Sequence, residues 1–299
     1  MKLHQLQALV AVVDHGSIRA AARALHLSQA ALTKSLRQLE EDAELALLVR
    51  RPTGVVLTPD GLRLLARARL ITHQLALARD ELQQARNLPG GRVCVALTPY
   101  LTLSVLADAF VWFRKRYPAV ELHVSEGLIT RVLPGLRDGS LDFALVADSG
   151  EVPRNEFSCE HLLHQPQVLA VRAGHPVLAN PTAAALAACE WMLPGPSSSS
   201  RVSDYLLGMF ERAQVAPPTL VTRGDAMAAI ALVRSADIVS VMPLPLLQQP
   251  ETRGIVAVPQ SALVPPGIDL VRIALADAPL TPAAAYLARC LEDACMAQA

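Results

Sequence analysis

The sequence predicts an α/β protein with an all-α, winged amino-terminal part, the two joined by one long helix. Three observations predict this. Residues 17–40 read as two short helices around a tight turn, residues 59–87 as one helix with a seven-residue repeat, and residues 93–146 as strands alternating with helices. Apolar spacing separates these regimes, because a helix face recurs every 3.6 residues and a buried strand is a short apolar run.

The elements follow in order. Leu3, Leu6, Leu9, Val10 and Val13 form an apolar stripe and predict a first helix. Ser17 is an N-cap type, since its hydroxyl can accept a bond from a free N–H of the first turn. Ile18 to Leu25 follows with four alanines, the best helix formers. His26-Leu27 separates this helix from Ser28, a second N-cap, and Leu32, Leu36 and Leu39 then share one buried face. Together these residues predict a three-helix core containing a helix-turn-helix.

The opposite face of the 28–40 helix carries Gln29, Ala30, Thr33, Lys34 and Arg37. Glutamine can pair bidentately with adenine, lysine and arginine suit guanine or phosphate, and threonine or alanine can touch a thymine methyl. Residues near the start of a recognition helix face base edges. Ser28, Gln29, Ala30, Thr33, Lys34 and Arg37 are therefore the candidate DNA contacts; the alternative is an ordinary solvated face. Glu40, Glu41, Asp42 and Glu44 crowd the end of this helix, where acid opposes the dipole and repels phosphate, so they are expected to point away from a duplex. Residues 47–59 set apolar runs around Pro52-Thr53-Gly54 and predict a two-stranded wing. Arg50 and Arg51 at its base are candidate phosphate clamps, with Thr53 in the turn. A surface hairpin with two solvated arginines is the plainer alternative.

Pro59 opens the long helix. Leu64, Ala68, Ile71, Leu75, Ala78, Leu82 and Ala85 alternate steps of four and three, flanked by Arg63, Arg67, Arg69, Arg79 and Arg86. That pattern suits a dimerising coiled coil, or else a helix packed on its own domain. Pairing would set two recognition helices about 34 Å apart or a multiple of it, the repeat of the major groove. Leu88-Pro89-Gly90-Gly91 ends the helix and marks the main boundary. The expected segments are 1–58 for DNA, 59–88 as connector and 89–299 as a sensor.

In the sensor, Val93–Leu97, Val120–Val124 and Leu141–Val146 read as strands, with helices around Leu103–Arg114 and Thr130–Gly139. A second set follows: strands at Gln167–Arg172, Glu190–Leu193, Leu220–Thr222 and Ile238–Val241, with helices at Ser200–Ala213 and Ala226–Val233. Such alternation implies parallel strands with right-handed crossovers. Ligands in these sheets sit beyond the carboxyl ends of strands. Candidate effector contacts are thus Thr98, Pro99, Tyr100, Thr102, Gly127, Leu128, Thr130, Ser197, Ser198, Ser199, Ser200, Thr222 and Met242. Hydroxyls and helix starts favour a small anion, although Thr98 and Ser200 also suit a capping role alone.

The 299-residue chain is 52% hydrophobic, which supports a large core. Its net charge is zero, but residues 1–92 carry +5 and residues 93–299 carry −5, an asymmetry that places nucleic acid at the amino-terminal end. Cys94, Cys159, Cys189, Cys290 and Cys295 are scattered with no C-x-x-C pair, as expected of free thiols in a reducing compartment. The histidines do not cluster with them, so no metal is expected. No apolar run is long enough to span a membrane, and a cytoplasmic location is expected.

Residues 1–61 resemble the amino-terminal domain of LysR-type transcriptional regulators. The resemblance rests on Leu6 through Val13, Gly16-Ser17, Ala21-Ala22, Leu25-His26-Leu27-Ser28-Gln29, Leu32-Thr33-Lys34, Leu36, Leu39-Glu40, Leu47, Arg50, and Leu57-Thr58-Pro59 with Gly61. Tyr117 to Leu122, Leu136 to Asp142 and His175-Pro176 extend it, more loosely, through the sensor. Departures are Glu44 where the family usually has Gly, Leu48 for Phe, Asp60 for a small residue, Thr53 and Val56 where basic residues are common, and Ser235-Ala236-Asp237 for a glycine-rich turn.

The resemblance implies a winged helix-turn-helix, a linker helix and a two-lobed, periplasmic-binding-protein-like effector domain, with lobe I near 92–162 plus 267–299 and lobe II near 163–266. It implies an activator that binds an interrupted inverted repeat of double-stranded DNA as a dimer of dimers, with RNA polymerase as a further partner. The effector it suggests is an organic anion, an aromatic sulfonate or carboxylate, and no other cofactor. Some members sense oxidants through a cysteine pair, but residues 197–210 here hold Ser197 to Ser200 and no cysteine. A hydrolase built on that serine tract would need a G-x-S-x-G or S-x-x-K motif, and neither is present. A purely architectural DNA binder would leave the α/β part without a use. No catalytic residue is expected.

Overall fold

The computed structural model describes residues 1–51, 54–85, 90–148, 150, 152–194, 208–219, 221–259, 261 and 263–297. They fall into two compact units, residues 1–96, 117–144 and 274–286 in one and residues 97–116, 145–273 and 287–299 in the other.

The first unit begins with α1 (Leu3–Asp14), α2 (Ile18–Ala24) and α3 (Gln29–Ala43). Leu6, Leu9, Ala21, Ala22, Leu32, Leu36 and Leu39 form their shared core, as expected. On α1, however, Ala8 and Val12 are buried while Leu3, Val10 and Val13 are only half-buried, so the buried stripe is rotated from the expected one. Gln5 is also buried there, and its Oε1 accepts the Lys2 backbone N–H. Both expected N-caps form: Ser17 Oγ accepts the Ala20 N–H at 3.2 Å and Ser28 Oγ the Ala31 N–H at 3.1 Å.

Both helix ends of the motif close the same way. His26 sits at φ 54°, and the Leu27 N–H returns to the Ala22 carbonyl at 2.8 Å; Glu44 sits at φ 53°, and the Leu45 N–H returns to the Glu40 carbonyl at 3.3 Å. These are left-handed helix terminations, which glycine adopts most readily. Glu44→Gly is expected to raise stability by about 0.5–1 kcal/mol, because relief of left-handed strain exceeds glycine's larger unfolded-state entropy. A higher urea midpoint at unchanged slope would register it.

The wing is β1 (Leu48–Arg51) antiparallel to β2 (Gly54–Leu57), with Leu48 opposite Leu57 and Arg51 opposite Gly54. Glu40, first of the acidic run, has a structural partner that its sequence context did not show. Its Oε1 accepts the Leu47 and Leu48 N–H groups at 2.9 and 3.1 Å, tying the wing to α3. Thr58 starts α4 (Pro59–Ala85): its hydroxyl accepts the Gly61 N–H at 3.0 Å and donates to the Ala46 carbonyl at 2.8 Å. Gly61 is required by contact, since a Cβ there would lie 2.1 Å from the Leu47 carbonyl oxygen.

The repeat residues of α4 are not buried alike. Ala68 of the repeat and its neighbour Leu65 complete the three-helix core, whereas Ile71 and Leu82 of the same repeat are 47% and 68% exposed.

The α/β part holds two five-stranded sheets. One has the order β4-β3-β5-β12-β6, from β3 (Arg92–Leu97), β4 (Glu121–Glu126), β5 (Phe143–Ala147), β6 (Phe157–Gln165) and β12 (Ile268–Leu275). Between its early strands run α5 (Pro99–Ser104), α6 (Leu106–Arg116) and α7 (Ile129–Asp138). The other sheet lies in the second unit with the order β11-β7-β10-β8-β9, from β7 (Gln167–Arg172), β8 (Glu190–Pro194), β9 (Val221–Gly224), β10 (Ile238–Pro243) and β11 (Ile255–Ala257).

The expected all-parallel arrangement is corrected in this second sheet. β8 is parallel to β9 and β10, but β7 is antiparallel to β10 and β11. A parallel pair needs a crossover of a dozen or more residues. β7 enters this sheet from β6 of the other sheet after Pro166 alone, so it lies outside the strand–helix alternation that joins β8, β9 and β10. Trp191 anchors the unit's core, edge-on to Phe210 at 5.2 Å with its indole N–H on the Leu186 carbonyl at 2.8 Å. Of the helix expected at 200–213, residues 208–212 are helical and 200–207 lie outside the described residues.

Candidate nucleic-acid interface and effector site

The three leucines of α3 point into the core, which fixes what the rest of the helix presents. Gln29, Ala30, Lys34 and Arg37 are exposed and Thr33 is half-exposed. These five residues line one open concave surface. Among the described residues no ion pair engages Lys34 or Arg37, so both positive charges face solvent, where the field of a phosphate backbone would act on them. Ser28 is exposed, with its hydroxyl committed to the α3 cap. Arg50 and Arg51 occupy β1 opposite Val55 and Gly54; their side chains, and Thr53 as a whole, lie outside the described residues.

The candidate effector residues divide by unit. In the second unit, Thr98 precedes α5 as expected, but its hydroxyl does not cap the helix. Its Oγ1 is buried without a hydrogen-bond partner among the described residues. A buried unsatisfied hydroxyl costs about 1–3 kcal/mol, so such an atom calls for a partner. Pro99 is half-buried, Tyr100 is buried and Thr102 is exposed, with its hydroxyl donating to the Thr98 carbonyl at 3.2 Å. Thr222 on β9 donates to Glu190 Oε1 at 2.8 Å, a pairing the sequence reading did not foresee. Met242 is buried on β10 opposite Val168. In the first unit, Gly127 and Leu128 are half-buried and Thr130 is exposed at the start of α7. Ser197, Ser198, Ser199 and Ser200 lie outside the described residues.

All five cysteines are free. Burial pushes up the thiols of Cys94, Cys159 and Cys189, and that of Cys295 to about 11. The reactive species is the thiolate, so these environments oppose oxidant sensing. Cys94 and Cys295 are expected to resist iodoacetamide at pH 8 in the native protein and to react fully in denaturant, as counted by mass spectrometry. Among the described residues no group of three or more His, Cys, Asp or Glu side chains is placed to hold a metal, and no helix is long and apolar enough to cross a membrane.

The sequence reading missed three tethers: Glu40 onto the wing, Thr58 with Gly61 at the base of α4, and Arg69. The Arg69 guanidinium meets Asp14 of α1 and Asp138 of α7. For Glu40 and Arg69 only spacing and charge were visible, since their partners lie farther off in the chain, whereas the Thr58 cap on Gly61 is as local as those of Ser17 and Ser28.

Comparison with known proteins agrees with this geometry. Residues 3–62 match the family described as bacterial regulatory helix-turn-helix protein, lysR family, and residues 86–296 match the LysR substrate binding domain. The chain is 31% identical over 252 residues to the SDS degradation transcriptional activation protein of Pseudomonas sp. (strain ATCC 19151), covering 83% of this chain and 80% of the relative. It is 25% identical over 264 residues to the HTH-type transcriptional regulator TdcA of Escherichia coli K12, covering 88% and 84%. The fold matches full-length CbnR crystallised with its target DNA at a TM-score of 0.66 and 21% identity, over 98% of this chain and all of that one.

Proposed function

The chain belongs to the LysR-type transcriptional regulators, DNA-binding regulators with a substrate-binding domain and not enzymes, and we propose that it activates transcription from an interrupted inverted repeat in response to a small organic anion. In this reading residues 1–58 read the duplex, 59–88 pair two chains and 89–299 bind the effector.

The observation that carries the DNA half is the concave face of Gln29, Ala30, Thr33, Lys34 and Arg37, solvated on a helix whose other side is core. Self-association as a dimer of dimers is supported by the exposed repeat residues Ile71 and Leu82, and by Phe110, Val111 and Trp112 exposed together on α6. Selection from random duplexes should enrich one dyad-symmetric site. Recovery of no sequence would overturn the reading.

For the effector, the Thr98 hydroxyl, without a hydrogen-bond partner among the described residues, supports a ligand that accepts or donates one hydrogen bond there. The named role of the Pseudomonas relative in SDS degradation supports an anion of the sulfate or sulfonate class, with carboxylates as the nearest alternative. A ligand that binds only the folded state at 100 times its Kd stabilises it by about 2.7 kcal/mol. A thermal-shift screen with p-toluenesulfonate, benzoate and dodecyl sulfate below its micelle concentration is expected to raise Tm for at least one. Thr98→Val should weaken that shift. A flat screen across organic anions would defeat the anionic effector while leaving the DNA half standing.

A further inference from the structure

One guanidinium touches three elements with different duties. Arg69 stands on α4, a little over one turn before His73. Its Nη2 donates to Asp14 Oδ1 at the last residue of α1, in the reading head, and its Nη1 faces Asp138 Oδ2 at 3.5 Å, at the last residue of α7. Asp138 is itself held, because its Oδ1 accepts the Ser140 N–H at 3.0 Å.

His73, four residues on, reinforces the seam. Its ring packs against Gly139, where φ is +76° and a Cβ would fall 2.5 Å from ring Cδ2. Its Nε2 stands 3.5 Å from Asp142 Oδ1, and Asp142 Oδ2 accepts the Cys94 N–H of β3 at 2.7 Å. The seam also has apolar parts, since Leu70 and Leu77 of α4 line one small cavity with Leu136 and Leu141. His73 and these leucines pack α4 against α7. Arg69 differs from them in meeting a charged partner on α1 as well as one on α7.

Building on the regulatory reading above, we infer that Arg69 is a positioning residue that couples α7, inside the effector-binding segment, to the orientation of the DNA-reading head. Two carboxylates share one cation. Shifting α7 by an ångström would lengthen the Asp138 contact and leave the guanidinium to Asp14 alone, which changes how α1 is held against α4. Packed elements switch between discrete arrangements more readily than they stretch, so a small displacement can be passed on as a reorientation. The coupling must also be reciprocal: what α7 does to α1, α1 does to α7.

The test is hydrogen–deuterium exchange on the full-length protein. Asp138→Asn is expected to speed exchange at least threefold in α7 and also in α1, although it touches no residue of α1. Asp14→Asn is expected to do the same in reverse. Arg69→Met should speed both, and adding Asp138→Asn to Arg69→Met should add little, because the shared cation is already gone. If the effect of Asp138→Asn stays within α7 and that of Asp14→Asn within α1, the coupling is overturned. These two variants carry the test should Arg69→Met fold poorly. On an enriched dyad at saturating protein, Asp138→Asn should alter the length of the hydroxyl-radical footprint, which loss of folded protein alone does not change. A footprint identical to the wild type would refute the link to reading. Should the wild type enrich no DNA, the regulatory reading falls, and the exchange result still decides the coupling.

Discussion

Leu32→Ala is expected to destabilise the amino-terminal unit by about 2–5 kcal/mol, the range for truncating a buried leucine in a core that collapses incompletely. Leu32 is fully buried on α3 and belongs to one cluster with Leu6, Leu9 and Val12 of α1, Ala21 and Ala22 of α2, and Leu65 and Ala68 of α4. The packing of four helices is therefore weakened at once. The alanines on α2 leave little side chain to move into the void, so relaxation should be poor. Denaturant unfolding followed by circular dichroism should show the midpoint fall. DNA binding should fall with it, since the face of Gln29 and Lys34 exists only while the opposite leucines are packed. Leu62→Ala is the control: Leu62 is exposed on α4, and its loss should change stability by no more than about 0.5 kcal/mol. A buried position that behaved like this exposed one would mean that α3 does not sit against the core as described.

That contrast also shows what the sequence made legible. Leu32, Leu36 and Leu39 declare their face through spacing alone, and Ser17 and Ser28 declare caps through chemistry that reaches only three residues along the chain. Such features depend on neighbours in sequence. The same holds for the polar face of α3, because whatever is not core on a short amphipathic helix is presented outward. Features that depend on distant partners were hidden. Glu40 looked like one acid in a run of four, and only the fold brings the Leu47 and Leu48 N–H groups to its carboxylate. Thr222 looked free to meet a ligand until β8 placed Glu190 beside it. The direction of β7 was misjudged because alternating helices and strands suggest crossovers, while β7 comes straight from β6 of the other sheet and stands outside that alternation. β6, β12 and the closing helix Pro282–Met296 were not read as elements at all. The rotated stripe on α1 has a related cause: alanines at 8 and 11 are small enough to bury against α3 and α4, and an apolar count weighted to large residues passes over them.

Within the proposed DNA interface, substitutions on α3 should separate by chemistry rather than by size of effect. Gln29 is exposed at the start of the recognition helix and carries an amide able to make two hydrogen bonds to one adenine. Gln29→Ala is expected to weaken binding to the selected dyad by about 1–3 kcal/mol, roughly fivefold to 150-fold, and to relax preference at one base pair per half-site. Lys34 and Arg37 are solvated cations on the same concave surface. A residue that meets phosphate should behave differently: its removal should weaken binding almost equally on every sequence and lower the salt slope by about one for each phosphate it had neutralised. Titrations of each variant on the selected site and on single-base variants, at several salt concentrations, read both quantities. Because these side chains lie outside the core, all three variants should keep the wild-type unfolding midpoint, so a drop in affinity cannot be charged to a failure to fold. If Gln29→Ala, Lys34→Ala and Arg37→Ala bind the dyad with wild-type affinity and salt dependence, the concave face is only a solvated one, and the reading surface must be sought elsewhere on the molecule.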